Sequence, residues 1–293
     1  MSFTTRTFGK WILAGEHSVL RGTPALVFPA TNFSMSFCYR SGTRPIQAAF
    51  SGPNGEELKL IFWGLMEAAL EQVERPRSEL RGEIEIGNTI PLGAGLGASA
   101  ALCVGVARWF AHKEWISEDR IYEFARRLEG LFHGESSGVD IAVALEGCGL
   151  RFTRGPDWQK LTQKWQPHFY LSYSGHRGVT SECVQRVKDL WARAPELGDK
   201  IDGQMNEAVE MAEMALQQDE NAGFISMAHA MDLARDCFYQ WGLCEGALDQ
   251  HIRQLTSAGA MAVKPTGSGG GGYVLSLWRE CPPSEWLSKL VRV

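Results

Sequence analysis

The sequence predicts an α+β protein, and three features predict it. The first ninety residues alternate apolar and polar side chains between turns, as strands do. Several later runs carry apolar residues at helical spacing. Near the end, AGAMAVKPTGSGGGGYVLSLW returns to strand, glycine loop and strand. Strands and helices arrive in blocks, without the regular alternation that builds a parallel α/β sheet.

The elements follow in order. KWILAGEHSVL carries an apolar strand into a loop, ALVFPA is a second strand and NFSMSFCYR alternates as a third. EELKLIFWGLMEAALEQVE has a helical period, and RGEIEIGNTI is an alternating strand that ends at Pro91. A glycine loop leads into a helix from about Ala98 to His112. Ser117 suits the N-cap of a helix through Leu131, with Ile121, Phe124, Ala125, Leu128 and Leu131 on one face. FTRGPDWQKLTQKWQP is polar and turn-rich and marks the expected boundary between two lobes, 1–160 and 161–293. HFYLSYSG is a strand, followed by helices to about Arg235.

Composition narrows the function. The chain has 293 residues, 44% hydrophobic and 22% charged, enough for a sizeable core. A net charge of −5 argues against a general nucleic-acid binder, which needs a basic footprint. No run approaches the roughly 18 apolar residues of a membrane span, and MSFTTRTFGKWILAGEHS lacks the apolar core of a signal peptide. Seven widely spaced cysteines, with no C-x-x-C, read as free thiols in a reducing cytoplasm. The histidines are scattered, which argues against a His/Cys metal cluster.

Four stretches carry candidate chemistry. In PLGAGLGASAALCV, Gly93, Gly95 and Gly97 precede a helix. Bare N–H groups and the positive end of a helix dipole make an anion cradle, although this is neither a dinucleotide fingerprint nor a P-loop. Ser99 stands in the first helical turn, where a hydroxyl can meet a phosphate-bound Mg²⁺. The same glycines would also suit a turn that serves packing alone. LEGLFHGESSGVD gathers Glu129, His133, Glu135 and Asp140 around Gly130 and Gly134. Its carboxylates can converge on one site, or the stretch can be a helix C-cap and a solvated loop. GKWILAGEHSVLRG places Lys10, Glu16 and His17 around a strand end, where surface or structural roles are the plain alternative. KPTGSGGGG has five glycines in six residues, suited to close backbone approach or to a flexible hairpin.

Together these stretches resemble the GHMP kinase superfamily. Its central signature is P-x-x-x-G-L-G-S-S-A, matched here by PLGAGLGASA, and its K-x-T-G-[AS]-G-G-G-G loop is matched by KPTGSGGGG. Within it, GKWILAGEHSV is similar to the G-K-x-I-L-x-G-E-H-[AS]-V of the mevalonate kinases, and EGLFHGESSGVD to their E-x-x-x-H-G-x-x-S-G-x-D. The resemblance implies a two-lobed fold, with an N-terminal α+β lobe, a ferredoxin-like C-terminal lobe and the active site in the cleft. It implies an ATP-dependent kinase that phosphorylates the C5 hydroxyl of mevalonate with Mg²⁺, acting as a monomer or homodimer. Asp140 would be the catalytic base, with Lys10 beside it. Gly93, Ala94, Gly95, Leu96, Gly97, Ala98 and Ser99 would wrap the ATP phosphates, and Ser99 and Glu129 would hold Mg²⁺. Glu16, His17 and Thr180, the last in GHRGVTSECV, would line the acceptor pocket. Thr266 and Gly267 would close over it. The sequence departs from the pattern at Ala98, where the first serine of the pair is missing, at Ile141 and at Glu135. Another small alcohol (phosphomevalonate, a sugar or homoserine) or a non-catalytic sensor on the same fold are the competing readings.

Overall fold

The computed structural model of the chain describes residues 2–133 and 136–293. Its elements run β1 (Ser2–Ala14), β2 (Ala25–Pro45), β3 (Gln47–Ser51), α1 (Gly55–Gln72), β4 (Arg81–Asn88), α2 (Ala98–His112), α3 (Ile121–His133) and α4 (Val139–Glu146). They continue through β5 (Leu150–Phe152), β6 (Trp158–Lys160), β7 (His168–Tyr173), α5 (Thr180–Arg193), α6 (Pro195–Gln217), α7 (Glu220–Gln240) and α8 (Gly246–Ser257). The last are β8 (Ala262–Pro265), β9 (Tyr273–Trp278), α9 (Ser284–Leu287) and β10 (Val291–Arg292). Two compact units share them. One comprises Met1–Lys10, Pro29–Leu92 and Gly97–Gly147, the other Trp11–Phe28, Gly93–Leu96 and Cys148–Val293.

In the first unit, β4 pairs antiparallel with β2 and parallel with β3. The alternation of RGEIEI turns Ile84 and Ile86 inward and leaves Glu83 and Glu85 outside. α2 packs on α1, α3 and α4. Its small residues allow that close packing: Ala98, Ala100, Ala101, Gly105 and Ala107 are all buried. At its far end Trp109 and Phe110 fill the core with Phe37 and Phe62.

Two expectations need correction here. β2 is one continuous strand, where two were expected. Pro29 lies between the stretch that pairs with β5 and the stretch that pairs with β4. On α3, Phe124, Ala125 and Leu128 are buried as expected, but Leu131 is exposed. The buried stripe is rotated to include Tyr122 and Glu129. Ser117 precedes a 3-10 turn into α3 and makes no side-chain capping bond.

In the second unit, β7, β8, β9 and β10 form an antiparallel sheet in the order β10-β7-β9-β8. Two stretches of helix, α5 to α8 and the short α9, interrupt these strands in a β-α-β-β-α-β sequence, so the expected ferredoxin-like arrangement is present. α7 and α8 pack on β8, and α6 packs on α7. The polar segment expected as a connector contains β6, paired with β5. All seven cysteines are free thiols. Among the described residues, no helix is long and apolar enough to cross a membrane.

Between β1 and β2, Gly15 is pressed onto the chain. At φ 104° an added Cβ would lie 2.4 Å from the Ala25 Cα and 2.5 Å from the Pro24 oxygen. Gly22 has a similar φ of 96° but open space around it. Gly22→Ala should therefore cost about 1 kcal/mol of backbone strain. Gly15→Ala should cost more than about 3 kcal/mol, because backbone must move. Urea midpoints of the two variants check the difference, and equal shifts would contradict it.

Candidate active site

The first unit brings together Lys10, Gly97, Glu129 and Asp140. Lys10 comes from β1 and Asp140 from the second position of α4, and the Lys10 Nζ lies 3.1 Å from Asp140 Oδ1. The lysine side chain is 6% exposed, but the aspartate is 23% exposed and keeps an open side. Lys10 is thus no solvated surface charge. Gly97, at φ 74°, is the N-cap of α2. A Cβ there would meet Lys10 Cγ at 2.9 Å and stand 3.6 Å from Asp140 Oδ2, so this glycine makes room for the pair.

Glu129 lies on the buried face of α3 and accepts a hydrogen bond from the Ser136 hydroxyl. Burial and, next, the Asp140 charge push its carboxyl up to about 8, while Ser136 and Lys10 pull it down. The two carboxylates, eleven residues apart, are near enough for the charge of Asp140 to act on Glu129. Ser99 is half-buried in the first turn of α2, and Ala98 is buried beside it. Gly130 lies within α3 and does not cap it. Gly134 and Glu135 lie outside the described residues, and so does the side chain of His133.

The second unit explains the glycines. Gly93 to Leu96 meets the loop 266–272 backbone to backbone. A Cβ on Gly267 would be 3.3 Å from the Gly95 oxygen, and one on Gly272 would be 2.9 Å from the Ala94 oxygen. A third segment joins them: a Cβ on Gly178 would be 2.4 Å from the Gly269 oxygen, and Gly272 N–H donates to the His176 carbonyl at 2.7 Å. Gly93, Gly95, Gly267 and Gly269 to Gly272 all have positive φ. The Thr266 hydroxyl, 2% exposed with its residue, accepts from the Ile12 N–H at 2.7 Å, fastening the loop to β1.

The remaining expected residues of this unit also meet. His17, at φ 61°, donates from Nε2 to the Ser268 carbonyl at 2.9 Å and stacks edge-on with Trp241 at 5.1 Å. The Ser268 hydroxyl lies 3.3 Å from that of Thr180, the first residue of α5. Glu16 is ion-paired with Lys264, both fully buried, and Lys264 also donates to the carbonyls of Ile12 and Pro265. Glu16 is therefore tied into the frame around the loop.

Two residues of this unit were not singled out by sequence reasoning. Lys264 stood inside KPTGSGGGG, and its burial on β8 was the missing signal. Arg177 had no local signal. Its guanidinium sits 3.0 Å from where a Gly93 Cβ would be, which places a cation at the first glycine of the cradle.

Burial lowers His17 to about 4 from 6.5, partly offset by the bond to Ser268. The folded protein keeps this imidazole neutral down to about pH 4, while the unfolded chain takes up the proton near 6.5. Below 6.5 the unfolded state binds more protons, so stability falls with acidification by up to about 3 kcal/mol from this group alone. His17→Asn, which keeps a polar side chain but does not titrate, should flatten that part of the urea-stability profile between pH 6.5 and 4. Identical profiles would refute the assignment.

Residues 61–148 match the family model for the GHMP kinases N terminal domain. Across 92% of the chain, the mevalonate kinase of Pyrococcus horikoshii is 29% identical and that of Thermococcus sibiricus 27%, each covered over 86% of its own length. The structure of L. major mevalonate kinase in complex with R-mevalonate superposes with a TM-score of 0.79 at 21% identity, covering 99% of this chain and 94% of that one. The glycines before α2, the Lys10–Asp140 pair and these likenesses point the same way: residues 61–148 match the GHMP kinase N-terminal domain, and the chain is similar along most of its length to mevalonate kinases.

Proposed function

We propose that the chain transfers the γ-phosphoryl group of ATP to the C5 hydroxyl of mevalonate, with Asp140 as base. The observation that carries the residue roles is the Lys10–Asp140 pair seated against Gly97, at the start of α2. The acceptor rests on the mevalonate kinases matched along 92% of the chain.

Phosphoryl transfer needs positioning and charge stabilisation more than covalent chemistry. Asp140 takes the proton of the attacking hydroxyl as its oxygen bonds to the γ-phosphorus. The bond from that phosphorus to the bridging oxygen breaks, and ADP leaves. Lys10 sits beside the base and stabilises charge on the transferring group. The N–H groups of Gly93 to Ser99 would receive the phosphates, and Arg177 adds a cation at Gly93. Thr266 and Gly267 hold the second glycine loop against that cradle. His17, with Thr180, lines the acceptor pocket, and Glu16 supports it through Lys264.

The residues present fit a magnesium ion. Among the described residues no cluster of three His, Cys, Asp or Glu side chains could hold a metal alone. Mg²⁺ needs only one or two carboxylates when phosphates and water complete its shell. Glu129, buried beside a second carboxylate, and the Ser99 hydroxyl are suitable hard-oxygen donors. Bound there with ATP, the ion would neutralise phosphate charge.

The test is ADP release with Mg-ATP and, in turn, mevalonate, phosphomevalonate, galactose and homoserine. Mevalonate alone should give a strong signal. Asp140→Asn should still bind ATP and lose roughly 10²–10⁴-fold in kcat. Turnover with a different acceptor would overturn the pocket assignment, and near-normal kcat in Asp140→Asn would remove that residue as base.

A further inference from the structure

Residues 136–138 turn the chain into α4 ahead of Asp140, and α3 grips that turn at two points. Glu129 accepts from the Ser136 hydroxyl, and the same oxygen accepts from Gly138 N–H at 3.1 Å. Two helical turns earlier, on the same side of α3, stands Tyr122. Its phenol meets the turn at its last residue. Gly138 has a φ of 87° and is the N-cap of α4, and Ala142 N–H donates to its carbonyl at 2.9 Å in the first bond of that helix. A Cβ on Gly138 would lie 2.2 Å from the Tyr122 hydroxyl oxygen and 3.1 Å from Cζ. The phenol therefore occupies the space that any other residue would need at this N-cap.

We propose that Tyr122 is a positioning residue for phosphoryl transfer: wedged against Gly138, its phenol sets the start of α4 and so the placement of the Asp140 carboxylate beside Lys10. The inference rests on Asp140 acting as the base proposed above. Asp140 is two residues past the wedge, so a shift of the N-cap moves the carboxylate directly. Tyr122 is 5% exposed and packs against Gly138, so it is placed to act through that N-cap. Burial holds its phenol up at about 12, and it stays neutral throughout the working range. A displacement of about 1 Å at a catalytic group is worth roughly 100-fold in rate.

The test is a double-mutant cycle in the full chain: Tyr122→Phe, Tyr122→Ala, Gly138→Ala and Gly138→Ala/Tyr122→Phe. The acceptor is whichever one the wild-type protein turns over. Tyr122→Ala should lower kcat by about 10-fold or more while the KM values for ATP and acceptor change by less than about 3-fold. Tyr122→Phe, which keeps the ring, should stay within about 3-fold of wild type. Gly138→Ala should lose kcat more severely, and the double variant should recover roughly 5-fold of that loss, because the 2.2 Å contact has been removed.

A readout free of turnover separates this inference from the functional one. The ¹³Cγ resonance of Asp140, assigned by its disappearance in Asp140→Asn, should move in Tyr122→Ala and stay in place in Tyr122→Phe. Unchanged kcat and an unmoved resonance in Tyr122→Ala would overturn the proposal, as would strict additivity between Gly138→Ala and Tyr122→Phe. If Tyr122→Ala does not fold, the Gly138→Ala and double-variant comparison decides alone. A wild type that turns over no acceptor would defeat the proposed function and leave the resonance test standing.

Discussion

Three backbone segments of the second unit approach so closely that side chains do not fit between them. Gly93 to Leu96, 176–178 and 266–272 meet through carbonyl oxygens and Cα atoms at distances where a Cβ would overlap. This contact is why the sequence gives up so many side chains there. It also decides what each loop can present. Held in the left-handed region, the glycines turn their N–H groups away from ordinary helix or strand partners. Neighbouring groups use the same frame. Gly270 N–H donates to the Leu243 carbonyl at 2.9 Å, and the Ser268 carbonyl is held where it accepts from His17.

The motif GKWILAGEHSV sends two charges to two different fates. Lys10 pairs with an aspartate that water reaches, whereas Glu16 pairs with a lysine that is 0% exposed. The second pair is structural: Lys264 meets Glu16 and two carbonyls, which accounts for all three ammonium donors. Removing one partner of such a pair strands a buried charge, at a cost of about 3–5 kcal/mol. The first pair is different in kind. One oxygen of Asp140 faces Lys10 and the carboxylate stays partly open, an arrangement that stabilises the fold less and leaves the carboxylate within reach of a solute.

Much of this was legible in the chain, because local patterns set local structure. The run of small residues after the cradle marked α2 from Ala98 to His112, and alternation marked β4. The strand–glycine–strand pattern near the end became β8 and β9. What escaped was set by partners distant in sequence. Pro29 looks like a break until β4 and β5 are seen to take up opposite stretches of β2. Leu131 reads as an inward residue by spacing alone, but the buried stripe of α3 turns toward Tyr122 and Glu129. Arg177 and Tyr122 carry no pattern of their own. Each is defined by the face of a glycine, Gly93 or Gly138, and a missing side chain does not say what fills its place.

The surroundings of the two carboxylates differ in a way that matches the roles proposed for them. Glu129 is buried, receives the Ser136 hydroxyl, and lies close enough to Asp140 to feel its charge. Two like charges in that setting are relieved best by a cation, and a buried carboxylate is poorly placed to exchange a proton with an acceptor arriving from solvent. Asp140 has the opposite surroundings: an ammonium at 3.1 Å and an open side. Ala98 sharpens the division. With a methyl group buried at that position, Ser99 supplies the hydroxyl in the first turn of α2. The roles proposed above follow this division, with Ser99 and Glu129 for the cation and Asp140 for the proton.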